Sequence, residues 1–237
     1  MERVLVEVVA CTADDAVRAE AVGADRIELV SAISEGGLTP SIGALAETKA
    51  RCRLPIMAML RPRGGGFVYT DAEFQTILRD AEALLAAGAD GLVVGILADR
   101  GIDEDRIRRF VQIAGVQPVT FHRAFDLLPD PFAALSRLRD LGVARVLTRG
   151  GLSSINPARL RQYAEHAQVI QLLACGGIRA ANVSSVVAES GAAQIHLGPF
   201  IPKRDPVFYN PADPTLVEHL TLDDEEVRRV VRAIQPV

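Results

Sequence analysis

Five ionisable side chains interrupt or end short apolar runs: Glu7 within Val4 to Val9, Glu28 between Ile27 and Leu29, Arg61 after Ile56 to Leu60, His122 after Val119 to Phe121, and His196 between Ile195 and Leu197. Carboxylates and imidazoles that share a site exchange protons near neutral pH, and an arginine beside them balances a carboxylate or an oxyanion. The set reads as acid–base chemistry, with Glu7 or Glu28 as general base, His122 or His196 as the partner acid, and Arg61 as a clamp. The competing explanation is an ion network that only fixes the fold, because burying such groups is costly unless they are paired.

The segments after these runs are rich in glycine and arginine: Ser34 to Ser41, Arg61 to Phe67, His122 to Asp126, Thr148 to Gly151 and Cys175 to Arg179. Adjacent glycines let backbone N–H groups approach an anion. Arg63, Arg123, Arg149, Gly150, Gly176 and Gly177 are therefore the candidate anion-binding residues, for a phosphate or a carboxylate. Neither Lys49 nor Lys203 falls on one of the eight strands counted below, so no Schiff-base lysine is expected inside.

What positions these groups is a repeat. Gly23-Ala-Asp-Arg-Ile-Glu-Leu29, Gly88-Ala-Asp-Gly-Leu-Val-Val94, Gly142-Val-Ala-Arg-Val-Leu-Thr148 and Gly191-Ala-Ala-Gln-Ile-His-Leu197 each read as a helix-ending glycine, a short turn and a strand. Four other strands interleave with them: Val4 to Val9, Ile56 to Leu60, Val119 to His122 and Val169 to Ala174. Eight strands alternating with helical stretches predict a single (βα)8 TIM barrel over residues 1–237. An open doubly wound sheet would want a G-x-G-x-x-G after its first strand, where this chain has Val9-Ala-Cys-Thr-Ala-Asp14. Thr12, Ser41, Thr70 and Asn156 are predicted helix caps, with Asp103, Asp130 and Asn182 as weaker ones. Residues 199–237 are predicted to wrap the barrel and end in an amphipathic helix over 223–234. In that wrap Phe200, Phe208 and Tyr209 are of the type that anchors an oligomer contact. Strand alternation turns Glu28, Val93, Leu147 and His196 inward in one layer, near the C-terminal mouth where active sites of this fold sit.

Four of these strings, E-G-G-L-T-P-S, R-P-R-G-G, V-T-F-H-R-A-F-D and R-V-L-T, in that order, resemble the CutC family, named for copper tolerance. The resemblance implies a cytoplasmic, often oligomeric TIM barrel with a role in copper homeostasis and copper binding through cysteines. The positions where that family usually carries cysteine on the first two strands are Val9 and Val30 here. A soft cation such as Cu(I) wants thiolate or thioether ligands. The remaining candidates are Cys11, Cys175, Met57 and Met59, the methionines about 7 Å apart on one strand face. Core filling explains the same sulfurs. Copper homeostasis, with copper as the one cofactor suggested, thus stands beside an enzyme acting on a small phosphorylated or carboxylated metabolite.

Composition narrows the partners. The chain has 237 residues, 26 Lys plus Arg against 30 Asp plus Glu, and a net charge of -4. No basic block is long enough to follow a phosphate backbone, so nucleic acid is not expected. No apolar run approaches a membrane span, and the first residues lack a signal pattern, so the expected location is the cytoplasm. Three separated cysteines without a C-x-x-C pair offer neither a disulfide framework nor a zinc knuckle.

Overall fold

A computed structural model describes residues 3–206 and 217–234, apart from positions 100 and 152. Eight parallel strands close on themselves: β1 (Leu5–Ala10), β2 (Arg26–Leu29), β3 (Ile56–Met59), β4 (Gly91–Val94), β5 (Val119–Phe121), β6 (Arg145–Thr148), β7 (Gln171–Ala174) and β8 (Gln194–Leu197). Helices α1 (Ala13–Ala21), α2 (Ile42–Arg51), α3 (Asp71–Ala86), α4 (Glu104–Ala114), α5 (Pro131–Asp140), α6 (Pro157–Ala167) and α7 (Val183–Ser190) fill the crossovers. The architecture is the TIM barrel that the repeat predicts.

Local chemistry explains where the helices begin. Thr12, Ser41, Thr70, Asp103, Asp130 and Asn156 each accept a hydrogen bond from a backbone N–H of the first turn. Asn182 makes no such cap on α7; its Oδ1 instead accepts from the Arg179 N–H at 2.8 Å, closing the loop before the helix. The aspartate of the Gly-Ala-Asp phrase also has a structural role. Asp25 accepts the Val6 N–H at 2.9 Å and Asp90 the Ile56 N–H at 2.7 Å, so each ties down the start of a neighbouring strand.

The strand registers sort the inward side chains into layers of four from alternate strands. From the N-terminal end upward these are Arg26, Gly91, Arg145 and Gln194; then Glu7, Met57, Thr120 and Leu173; then Glu28, Val93, Leu147 and His196; and, nearest the mouth, Val9, Met59, His122 and Cys175. The outward faces of the strands pack with the helices into one large apolar core. Inside, the described residues form two small apolar clusters, one around Met57, Met59 and Val93, the other around Leu147, Leu173 and Cys175.

After β8 the chain forms an antiparallel pair, β9 (Phe200–Arg204) with β10 (Glu218–Leu222), and then α8 (Asp224–Ile234). Arg18 on α1 holds this end in place. Its guanidinium reaches Leu222 O, Thr221 Oγ1 and Asp224, while buried Asp15 accepts the Leu222 N–H at 3.1 Å. Phe200 packs on the mouth-side apolar cluster. Phe208 and Tyr209 lie outside the described residues.

The seventh strand starts at Gln171, two residues later than the sequence pattern suggests. Gln168 adopts φ +55°, and Val169 is thrown into solvent at 81% exposure. Two βα units earlier the same turn is made by Gly115, with φ +60°. A side chain in that region is strained by about 1 kcal/mol or more. The Gln168→Gly protein is expected to unfold at higher denaturant, with a gain of about 0.5–1 kcal/mol after loss of an exposed hydrogen bond from Arg139. A lower midpoint in a urea titration would show that bond to be the larger effect.

Candidate functional site

The interior of the barrel carries a chain of charges that climbs from its closed end to its mouth. Arg26 Nε donates to Glu7 Oε2, and its Nη2 donates to Gln194 Oε1 at 2.9 Å. Glu7 Oε1 lies 2.8 Å from His196 Nδ1, and His196 Nε2 lies 3.8 Å from Glu28 Oε2. All four side chains are buried or nearly so. Beside them Arg145 donates to Thr120 Oγ1 at 3.1 Å and Met57 Sδ at 3.2 Å. Burial and the charge of Arg26 lower the Arg145 pKa to about 10.

The two glutamates respond in opposite ways. Burial pushes the Glu7 carboxyl up, but the hydrogen bond from His196 and the charge of Arg26 outweigh it and hold the group at about 2. Glu28 has weaker support. Burial and the charge of Glu7 raise it to about 7 against the pull of His196 and Arg26, and its Oε1 is buried with no hydrogen-bond partner among the described residues. His196 resists its own burial because Glu28 and Glu7 stabilise the imidazolium, and its pKa is raised.

Above these groups opens a cavity of about 510 Å³ at the C-terminal ends of the strands. Glu28, Arg61, His122 and His196 line it; Glu7 does not, because it sits one layer beneath, under His196. His122 directly follows β5, and its Nδ1 accepts the Ala124 N–H at 3.1 Å, capping a 3₁₀ turn. Its Nε2 is buried without a partner among the described residues. Burial first, then the charges of Arg61 and Arg123, lower its pKa to about 3. Its ring lies over Gly95, where a Cβ would come within 2.3 Å of it, and against Phe67 at 4.7 Å between centroids.

The arginines divide into two groups. Arg61 donates to three carbonyls, Glu35, Gly37 and Gly65, and stacks on Phe67, so its guanidinium staples the loops after β2 and β3 together. Arg63 turns away from the cavity to Glu73 and the face of Tyr69 at the start of α3. Arg123 and Arg149 remain on the wall, 3.6 and 3.9 Å from Asp126, with the Gly176-Gly177 backbone and Arg179 also on the lining. Gly150 is off the lining, and its N–H is held by Thr148 Oγ1. Asp126 is a wall residue that sequence reasoning passed over, although it closes the V-T-F-H-R-A-F-D string. It accepts from Thr148 Oγ1 at 2.5 Å and from the Arg149 N–H, and burial raises its pKa despite those bonds.

With this geometry in hand, comparison with known proteins gives a consistent result. The CutC family profile matches residues 4–200. The chain belongs to the CutC family. It is 43% identical over 196 residues to a human protein named copper homeostasis protein cutC homolog, covering 81% of this chain and 72% of that one. It is 41% identical over 214 residues to a CutC family protein of Treponema denticola, covering 87% and 85% of the two chains. Among solved structures, the putative copper homeostasis protein CutC of Streptococcus agalactiae superposes with a TM-score of 0.77 at 31% identity, covering 82% of this chain and 98% of that one. Phosphoribosylanthranilate isomerase of Thermotoga maritima, at 14% identity and a TM-score of 0.61, shares the fold. The CutC match stops at residue 200, so nearly all of the β9–β10 pair and α8 lie beyond it.

Of the four sulfur residues singled out in the sequence, Cys175 and Met59 reach the cavity wall, while Cys11 and Met57 do not. Cys175 is buried between Leu147 and Leu173, where burial and the nearby Asp126 charge keep its thiol protonated. The Cys11 thiol is pushed up to about 11 by burial and Asp15, and it lies off the cavity lining. Met57 Sδ already accepts from Arg145, leaving Met59 as the thioether on the cavity wall. Val9 and Val30 line the cavity with apolar carbons. Among the described residues, the group of three potential ligands within 4.8 Å of one another is Glu7, Glu28 and His196. That set contains no sulfur, and both Glu7 oxygens are engaged.

Opposite pKa shifts give opposite stability profiles. Glu28 titrates higher folded than unfolded, so its contribution is retained below about pH 4.5 and lost as pH rises through about 7. Glu28→Gln should therefore stabilise the protein at pH 8 by about 2 kcal/mol, with the gain vanishing near pH 4. Glu7 titrates lower folded, so its contribution is present above about pH 4.5 and lost as pH falls toward 2. Glu7→Gln should cost about 3 kcal/mol at neutral pH by stranding Arg26 and His196. Denaturant titrations at pH 4, 6 and 8 check both; equal effects at all three would refute the assignment.

Proposed function

We propose that the mouth of the barrel is an acid–base active site for a small metabolite carrying a phosphate or a carboxylate. Glu28 is the base. One observation carries this reading: a carboxylate oxygen, buried and without a partner among the described residues, borders an open cavity on a group raised to about 7. A carboxylate poised near neutral pH is suited to take a proton and to return it. His196, oriented by Glu7, sets the charge balance beside it.

The substrate's anionic end is assigned to the opposite wall. Arg123 and Arg149 both approach Asp126 Oδ2, two cations on one carboxylate, which favours an anion on this wall. Gly176 and Gly177, both with positive φ, present backbone N–H groups for which no acceptor is found among the described residues. The loops after β6 and β7 thus favour an anion, while the β2 side supplies the base.

Copper binding is the second reading, favoured by the names of the relatives and by Cys175 and Met59 on the cavity wall. It requires a thiol that burial holds protonated. The deciding experiment incubates the protein in D₂O with a panel of phosphorylated and carboxylated C3 to C6 metabolites and follows C–H signals by NMR. Turnover or deuterium exchange of at least one compound is expected, reduced about 10²–10⁴-fold in Glu28→Gln. Because Glu28 must be ionised to act, kcat/KM should rise with pH through about 7. No exchange across the panel, together with tight Cu(I) binding that Cys175→Ser abolishes, would overturn the enzyme reading in favour of metal handling.

A further inference from the structure

The same pocket contains a second functional group whose state is fixed by its surroundings. His122 Nδ1 accepts a backbone N–H, so in the neutral ring the proton resides on Nε2. That N–H is buried, unpartnered among the described residues, and part of the cavity wall. The ring cannot turn away: Gly95 lies against it from one side and Phe67 from the other.

We infer that the pocket transfers a proton at the carbon next to a carbonyl, on a small α-hydroxy aldehyde or ketone bearing a phosphate, with Glu28 as base and the His122 Nε2–H as donor to the carbonyl oxygen. This deepens the acid–base reading of the pocket and rests on it. A neutral imidazole N–H matches the basicity of an enolate better than an imidazolium does. Burial, and then the Arg61 and Arg123 charges, keep His122 in that neutral form. Competing chemistries lack their reagents. Among the described residues the lining contains no serine, threonine, tyrosine or lysine, and its one thiol is held protonated, which leaves no hydroxyl or amine nucleophile for a covalent mechanism.

The step balances within the substrate. The Glu28 carboxylate takes the proton from the hydroxyl-bearing carbon, and the released pair forms a double bond to the carbonyl carbon. The carbonyl π pair moves onto its oxygen, which accepts from His122. The proton then returns from Glu28 to the former carbonyl carbon, while the hydroxyl proton passes to the enolate oxygen. The product is the isomeric α-hydroxy carbonyl compound, with no outside oxidant or reductant. Glu28 and His122 occupy successive layers of the barrel interior, which suits a base acting on carbon and a donor acting on the adjacent oxygen.

The test is calorimetric binding of two probes with the same phosphate: phosphoglycolohydroxamate, planar like an enediolate, and glycerol 3-phosphate, tetrahedral at the same carbon. The wild-type protein should bind the planar probe at least about 100-fold more tightly. His122→Asn should cut that preference by about tenfold or more with little change for glycerol 3-phosphate. Gly95→Ala, which displaces the ring without removing it, should do the same and guards against a folding defect in the first variant. Equal binding of the two probes would overturn enolisation while leaving Glu28-dependent turnover of another compound intact. Failure of both to bind would overturn the substrate class.

Discussion

A closed barrel of eight strands has nowhere to hide an unpaired charge, and this one encloses several. The Arg26–Glu7–His196–Glu28 chain answers that constraint by alternating signs, Arg26 below Glu7, His196 above it and Glu28 beside His196 in the same layer. Such pairing offsets a desolvation cost that would otherwise be large. Glu7 is central to it because both of its oxygens are used, one by Arg26 and one by His196. The two groups of the layer above, His196 and Glu28, both respond to that carboxylate. A fixed negative charge at Glu7 favours the imidazolium at His196 and makes a second negative charge at Glu28 costly.

This arrangement separates structural from chemical roles among residues of one type. Glu7 and Glu28 differ by one layer, yet the first is saturated with donors and the second keeps an open oxygen. The arginines divide in the same way. Arg61 spends its N–H groups on carbonyls of two loops and so shapes the rim, while Arg123 and Arg149 share one buried aspartate and retain positive charge toward the cavity.

Much of this was legible in the sequence. The fourfold Gly-x-x-x-strand phrase counts out the barrel, and strand parity places Glu28 and His196 in one layer, as the registers do. Depth was harder to read. Glu7 has the inward parity of a mouth residue, but the stagger of the strands sets it a layer lower, and stagger is a long-range property that no local spacing encodes. Arg26 and Arg145 open their strands, where a charged residue reads as solvated, yet in a closed barrel those positions plug the lower end. Asp126 sits inside a recognisable string, but only the fold shows that its carboxylate meets residues 148 and 149. Arg63 differs for a local reason: Glu73, already the capping-box partner of Thr70, captures it at the start of α3.

The family name and the interior of this chain point to different ligand chemistry, and the difference traces to burial. A Cu(I) site needs thiolates gathered at one place, and a thiolate in an apolar wall must be stabilised by positive charge or by the metal itself. Here Cys175 packs with two leucines, and burial together with the carboxylate of Asp126 opposes its ionisation more than the charges of Arg123 and Arg149 favour it. The arginines in the interior and at the rim pair with carboxylates, Arg26 with Glu7 below and Arg123 and Arg149 with Asp126 above. What the barrel stabilises instead is a carboxyl group near neutrality and an uncharged imidazole, both at a wall with positive charge opposite. That is a distribution suited to holding an anion while moving a proton, and it arises from the same charge pairing that lets the barrel close.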